Sequence, residues 1–366
     1  MNYIGNHLKI TIFGQSHGVG IGAVVDGCPA GIEVDEQEIM QIMRLRAPGA
    51  SRLTTPRKEA DIPEFLSGVL NGKTCGSPLS FVIYNKDMHS KDYAALKNKP
   101  RPSHADYPAM LAHGDALDLR GGGAYSGRLT APLCVIGAIA LKELEKKHIH
   151  IGTHIARVGE IEDRAFDPVS DETELLKQLS ALPFAVIDDE KEESMRAWIE
   201  KTAERGDSVG GVIECKIIGM PAAIGSPMFG GIENEIAKMM FGIPAVKGIE
   251  FGMGFAGSRC TGSFYNDSYY FDENMQVKTK TNHAGGIVGG MSTGMPIVFR
   301  VAIKPTPSIA IPQETVDLKE KKNCAIAIDG RHDPCIAIRA NTVVRAACAI
   351  VLWDMLLGKG EEYGLE

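Results

Sequence analysis

A chain of 366 residues with 44% hydrophobic and 23% charged residues has the composition of a soluble globular protein, long enough for one large or two ordinary domains. Its formal net charge of -7 argues against a nucleic-acid surface as its main business, while leaving room for a local cationic pocket. The eight cysteines are scattered, contain no CxxC and sit mostly in apolar contexts, which predicts reduced core thiols and no disulfide framework.

The N-terminus carries no basic segment ahead of a long apolar run, so no signal peptide is expected. Strands are predicted at 8–13 and 19–26. A helix follows, with Asp35 as N-cap and Glu38 three residues on, ahead of Ile39, Ile42 and Met43. Residues 79–84 (LSFVIY) read as a buried strand. The stretch from Asp87 to Ser126 reads as one long loop with three His, several Pro and a triple Gly, and so long an irregular segment is expected to be functional. A helix is predicted from Thr130, with Pro132 in its first turn, to Lys146-Lys147. Its most apolar part, 132–144, is too short and too soon charged to span a bilayer. A charged amphipathic helix is predicted at 189–205, strands at 209–218, 296–303 and 324–328, and a closing helix at 340–357. His148 and His150 alternate in an apparent strand, but no metal site is assigned to them.

The stretches 19–43 and 209–240 echo one another: strand, Gly-x-Pro-Ala turn, short extended piece, helix. Two readings stay open, coincidence in a chain with 41 glycines or an internal duplication of about 8–130 and 205–357 within one domain. Duplication implies a pair of antiparallel sheets with helices packed against them. A dinucleotide-binding Rossmann sheet is not expected, because no GxGxxG or GxxxxGK[ST] stands in the right context.

Four stretches are polar where a fold alone does not need them. Phe13-Gly14-Gln15-Ser16-His17-Gly18 ends a strand in a hydrogen-bonding tip that carries an imidazole, a group able to titrate near neutral pH. Between Arg44 and Arg57 lie four arginines, Arg44, Arg46, Arg52 and Arg57, with Ser and Thr donors and no acid, the pattern of a small-anion clamp. Arg101-Pro102-Ser103-His104-Ala105-Asp106 runs on to Arg120-Gly121-Gly122-Gly123-Ala124-Tyr125-Ser126-Gly127-Arg128, whose glycines can expose backbone donors to a phosphate or a flat ring. The fourth is Asn282-His283-Ala284-Gly285-Gly286-Ile287-Val288-Gly289-Gly290, then Lys304-Pro305-Thr306-Pro307-Ser308, then Gly330-Arg331-His332-Asp333-Pro334-Cys335. These residues point to an enzyme for a small anionic substrate and do not name the reaction.

In this order, FGQSHG, RAPGASRLTTPR, RPSHADY, RGGG, NHAGGIVGGMSTG, KPTPSI and GRHDPC resemble chorismate synthase, from Gly14 to about Leu357. The resemblance implies an α+β fold, a β-α-β sandwich with helices between antiparallel sheets. It implies a lyase that eliminates phosphate in the anti 1,4 sense from 5-enolpyruvylshikimate 3-phosphate to give chorismate. It further implies dependence on reduced FMN without net redox change, NADPH serving only to reduce the flavin, and a cytoplasmic homotetramer that needs neither metal, membrane nor nucleic acid. By position, His17, His104 and Asp333 are the catalytic residues: His17 the acid for the departing phosphate, His104 at flavin N1 and Asp333 at flavin N5. Ser16, Arg46, Arg52, Arg57 and Arg128 bind substrate. Ala124, Tyr125, Ser126, Pro244, Ala245, Gly289, Lys304, Pro305, Thr306, Pro307, Ser308 and Arg331 hold the flavin.

The chain departs from the family pattern at Gln15 (usually Glu), Ser103 (usually Gly), Ala124-Tyr125, Leu129, Asn341-Thr342 and Arg345 (usually Glu). If Gln15 and Arg345 face one pocket, it loses two carboxylates. That admits an alternative reading, a homologue that binds flavin and an anion without efficient turnover.

Overall fold

The computed structural model describes residues 2–47, 60–86, 98–328 and 333–359. The first half contains β1 (Tyr3–Ile4), β2 (Lys9–Gly14), β3 (Gly20–Asp26), α1 (Glu36–Arg46), β4 (Glu64–Ser67), the small hairpin β5 (Val69–Leu70) and β6 (Lys73–Thr74), β7 (Leu79–Tyr84), α2 (Asp106–His113) and α3 (Ala131–Lys146). Next come β8 (His150–Val158), β9 (Ile161–Glu162), α4 (Thr173–Ser180), α5 (Asp189–Glu204), β10 (Gly211–Ile218), α6 (Ile232–Gly242) and β11 (Val246–Phe251). The short helices α7 (Gly254–Gly257) and α8 (Gly262–Tyr265) lead to the hairpins β12 (Tyr269–Phe271) with β13 (Val277–Thr279) and β14 (Ile287–Val288) with β15 (Met291–Ser292). Then follow β16 (Ile297–Ile303), the ribbon β17 (Gln313–Asp317) with β18 (Lys322–Ile326), and α9 (Ala337–Leu357).

Local chemistry accounts for the main elements. In β7 the inward residues Leu79, Phe81 and Ile83 alternate with less buried ones, the period of a strand with one covered face. The Asp35 carboxylate accepts from the N–H groups of Gln37 and Glu38 at 2.9 and 3.2 Å, which caps α1 as expected. Two segments are long and apolar enough to cross a membrane, Arg120–Lys146 and Ala337–Leu357, but 67% and 83% of their apolar windows are buried inside the protein. They are hydrophobic all round because sheets and helices surround them. A Cβ on Gly137 of α3 would fall 2.4 Å from Ala346 Cβ, so this glycine permits the close crossing of α3 and α9.

Two five-stranded antiparallel sheets, ordered β1-β2-β3-β7-β4 and β11-β16-β10-β8-β9, enclose the helices. The main core runs from Leu8, Ile10 and Phe81 through Ile136 and Val344 to Ile213 and Phe299. This is an α+β, β-α-β sandwich and not a Rossmann fold. The succession β2-β3-α1-β4-hairpin-β7-α3 recurs as β8-β10-α6-β11-hairpin-β16-α9, with matching strand orders in the two sheets. The sequence echo occupies equivalent places in both. Thr74 exchanges backbone bonds with Gly31 and Ile32 while its hydroxyl bridges Pro29 O and Ile32 N, and Ser292 repeats all four bonds with Ala223, Ile224 and Pro221. The recurrence begins at β8, well before residue 205.

Several local expectations change. The described part of 87–126 is not one loop: α2 and two short 3-10 turns lie within it. β18 pairs only with β17, outside the large sheets. The closing helix begins at Ala337. His148 has φ 60 and lies in the turn before β8, so it does not share a strand face with His150. All eight cysteines are free, and among the described residues no group of three His, Cys, Asp or Glu is placed to hold a metal.

Candidate active site

One cavity of about 620 Å³ draws on both halves of the chain. It brings together Ser16, His17, Arg46, His104, Ala124, Tyr125, Ser126, Arg128, Pro244, Ala245, Lys304, Thr306, Pro307, Ser308 and Asp333. Pro305 and Gly289 do not line it; Gly289 sits with φ 61 in the turn between β14 and β15. Arg52, Arg57, Arg331 and His332 lie outside the described residues.

His17 and Ser16 occupy the turn that follows β2, both buried. The triple glycine closes over them: Ser16 N–H donates to Gly123 O at 3.2 Å, and a Cβ on Gly121 would fall 2.6 Å from His17 Nε2. Gly121, Gly122 and Gly123 have φ of 60, 88 and 55, values only glycine adopts without strain in succession. On the other side of this segment, a Cβ on Gly122 would lie 3.5 Å from His104 Nε2. The two candidate imidazoles thus flank one glycine strip.

His104 is held by a second buried set. Its Nδ1 lies 2.6 Å from Asp106 Oδ1, and Asp106 also accepts from Arg101 Nε at 2.7 Å and Nη2 at 2.8 Å. Arg101 Nη1 donates to Ser308 Oγ at 3.2 Å, which ties this set to the KPTPS segment. Burial pushes the Asp106 carboxyl up, but hydrogen bonds from Arg101 and His104 outweigh it and hold the group well below the usual carboxylate range. With a carboxylate on Nδ1, that ring nitrogen carries the hydrogen, and Nε2 is the atom turned toward the glycines. Lys304 Nζ donates to Ser103 O, and burial, helped by Lys247, lowers the Lys304 pKa. Ser103 has φ 57, which explains why glycine suits that position.

Asp333 Oδ2 accepts from Arg339 Nη1 at 2.6 Å, and Arg339 Nε donates to Arg46 O at 2.9 Å. Thr306 Oγ1 donates to the Asp333 carbonyl at 2.9 Å, so the KPTPS and HDPC segments are fastened to each other.

Arg46, expected to bind substrate, lines the cavity. It is 1% exposed, and its nitrogens donate to Asp61, Thr130 Oγ1 and the carbonyls of Gly127 and Arg128. Burial, reinforced by Arg339, lowers its pKa to about 10. Its guanidinium ties Asp61, Thr130 and the Gly127–Arg128 backbone together in the cavity wall. Arg128 differs: Nε donates to Asn85 Oδ1 at 2.9 Å and Nη1 to Asp61, while its buried Nη2 has no partner among the described residues.

The departures from the family pattern fall largely away from the cavity. Neither Gln15, Leu129, Asn341, Thr342 nor Arg345 lines it. Arg345 Nε donates to Ile151 O on β8 at 2.9 Å. The premise that Gln15 and Arg345 strip carboxylates from the pocket is therefore removed. The NHAGG stretch is likewise spent on folding. Asn282 Nδ2 donates to Pro168 O and Pro296 O, each at 2.8 Å, and Asp267 accepts from the N–H groups of His283 and Ala284.

Sequence reasoning did not single out Asn85, Asp61, Arg339 or the Phe241–Ile243 segment at the end of α6. Only the identity of a buried Asn or Asp after an apolar strand or a cationic loop hints at the first two.

A family model described as chorismate synthase matches residues 8–357. A chorismate synthase of Methanobrevibacter smithii is 43% identical over 98% of this chain and 97% of its own length. Those of Korarchaeum cryptofilum and Methanothermobacter thermautotrophicus are 43% and 42% identical, over 96% and 98% of this chain and 96% and 95% of their own. A crystal structure of chorismate synthase superposes with a TM-score of 0.75 at 29% identity, over 97% of this chain and 93% of that one.

Proposed function

The chain belongs to the chorismate synthase family, and we propose that its cavity is the site at which reduced FMN and 5-enolpyruvylshikimate 3-phosphate meet and phosphate is eliminated to give chorismate. The observation that carries this reading is the pair of imidazoles, buried His17 and partly buried His104, on either side of one glycine strip, with Arg128 on the same cavity wall carrying a donor that has no partner among the described residues.

The residues present fit a flavin. The glycine strip adds no side chain of its own to the cavity, and at Gly121 a Cβ would fall 2.4 Å from His17 Cδ2. Ala124, Tyr125, Ser126, Pro244, Ala245, Lys304, Thr306, Pro307 and Ser308 share the cavity wall and would hold the isoalloxazine and its phosphate-bearing chain. We keep Gly289, Pro305 and Arg331 as flavin contacts by family position. When bound, the reduced flavin supplies electron density for an anti 1,4-elimination without net redox change.

The chain's own residues bind, orient and manage protons. Arg128, with Arg52 and Arg57 by family position, and Ser16 hold the substrate's anionic groups, and charge so placed in a dry pocket favours a departing phosphate. His17 donates the proton to that phosphate. Asp106 sets the tautomer of His104, so Nε2 faces the ligand as the atom that takes up a proton and returns it there. Asp333, steadied by Arg339, takes up the other proton-handling place.

We read the protein as one domain built from two copies of a seven-element unit, supported by the repeated hydroxyl-pinned turns at Thr74 and Ser292. We also read it as a cytoplasmic homotetramer with NADPH only as an outside reductant, following the family. Exposed Phe255, Phe264, Tyr269 and Phe271 give self-association an apolar surface.

The test is turnover under anaerobic conditions. Chorismate and phosphate formed in equal amounts with chemically reduced FMN, and none with oxidised FMN, support the reading. A folded protein that binds FMN and substrate yet forms neither product contradicts it.

A further inference from the structure

Asn85 directly follows β7, the strand that joins the rest of the first sheet to its edge strand β4. It is 7% exposed, and its side chain makes three hydrogen bonds across long stretches of chain. Nδ2 donates to Gln15 O at 3.0 Å and to Gly18 O at 2.9 Å, and Oδ1 accepts from Arg128 Nε at 2.9 Å. The partners fix which end of the amide is which, because two carbonyls require the NH2 and a guanidinium N–H requires the oxygen. Its own N–H donates to Val19 O at 3.1 Å, so the residue is anchored at both backbone and side chain.

The two carbonyls held by Nδ2 bracket Ser16 and His17, and Gly18 N–H donates back to Gln15 O at 3.1 Å. The same amide therefore determines where the turn presents His17 and how the Arg128 guanidinium is rotated. Asp61 fixes the second nitrogen of Arg128, and the remaining Nη2 is left buried and without a partner among the described residues. A charged donor left without a partner costs free energy, and Arg128 is one of the residues that line the cavity.

We propose that Asn85 is a positioning residue that couples the His17 turn to Arg128, setting the proton donor and the anion-binding Nη2 in register for one phosphate group. This rests on the reading of the cavity given above. Asn85 touches no reacting atom. It acts through the two groups it bridges, and misplacement of such groups by about 1 Å costs roughly 100-fold in rate.

The test compares wild type, Asn85→Ala, Asn85→Asp and Thr74→Val. Thr74→Val removes a buried hydroxyl that pins a turn outside the cavity, so it reports the effect of destabilisation alone. Three quantities are read: kcat with its pH profile, the dissociation constant of inorganic phosphate by calorimetry, and the melting temperature. Asn85→Ala is expected to lower kcat by roughly 100-fold, to weaken phosphate binding by roughly 10-fold, and to alter the pH profile of kcat. Thr74→Val lowers the melting temperature while leaving kcat, its pH profile and phosphate binding unchanged. If Asn85→Ala does not fold, Asn85→Asp decides: it loses both donors to the turn and is expected to show the same fall in kcat. Wild-type kcat in a folded Asn85 variant, or an equal loss in Thr74→Val, overturns the proposal. Absence of turnover in wild type would be a failure of the proposed function instead. Phosphate binding then still decides the coupling: weaker binding in Asn85→Ala supports it, and unchanged binding overturns it.

Discussion

Gly121 packs directly on the ring of His17: a Cβ there would fall 2.4 Å from Cδ2 and 2.6 Å from Nε2. Its φ of 60 already favours glycine, so Gly121→Ala meets strain and a clash together. The clash falls on a proton donor. The substitution is expected to lower kcat by roughly 100-fold and stability by about 2 kcal/mol. Steady-state kinetics with urea unfolding checks this, and an unaltered kcat would show that the His17 ring does not depend on the glycine.

Asp106 is the hinge of the His104 set. In Asp106→Asn, Arg101 loses its charged partner and His104 its fixed tautomer. A fall of roughly 10- to 100-fold in kcat is expected, with a displaced pH profile. The sign for stability follows from the lowered pKa: the contribution of Asp106 is present above the ordinary carboxylate value and lost as pH falls toward the folded one. Acid unfolding of Asp106→Asn should therefore be less steep than that of wild type.

A buried imidazole outside the cavity predicts the opposite flank. His154 is fully buried, with Nδ1 2.8 Å from Asp163 Oδ2 and Nε2 3.0 Å from Glu214 Oε2. Burial pushes its pKa down, but the two carboxylates outweigh that and raise it. The stability it contributes is complete below about 6.5, the unfolded value, and is lost as pH rises through the folded value. Urea unfolding of wild type should weaken across that alkaline range. His154→Gln is expected to cost about 3 kcal/mol at pH 6 and to lack the alkaline decline.

Arg345→Glu restores the residue usual in the family. Because Arg345 donates to a β8 carbonyl and does not line the cavity, the change is expected to leave kcat within about 3-fold of wild type while lowering stability by about 2 kcal/mol. A large gain in turnover would mean that the position communicates with the site.

The residues that made the site legible share a feature: they are polar, clustered and placed in loops, as in FGQSHG, RPSHAD, the triple glycine and KPTPS. The sandwich was legible from the family resemblance, while the paired echo, a Gly-x-Pro-Ala turn after an apolar strand and ahead of a helix, left coincidence and duplication both open. Asn85 and Asp61 were not legible because each acts through partners far along the chain; Asn85 and Gln15 are 70 positions apart. The direction of Arg345 was hidden as well. α9 is buried on nearly every side, so hydrophobic periodicity could not tell the cavity face from the sheet face. In NHAGG the Asn282 amide donates to Pro168 O, 114 positions away, and accepts from Gly286 N–H, contacts that the stretch alone does not announce.

The most direct measurement is anaerobic phosphate release from 5-enolpyruvylshikimate 3-phosphate with reduced FMN, run side by side for wild type and His17→Ala. Wild type is expected to give chorismate and phosphate in equal amounts. His17→Ala should remain folded and bind FMN, with turnover reduced by roughly 100-fold or more. Equal rates in the two proteins would remove His17 from the chemistry, and no release from a folded, flavin-bound wild type would contradict the function itself.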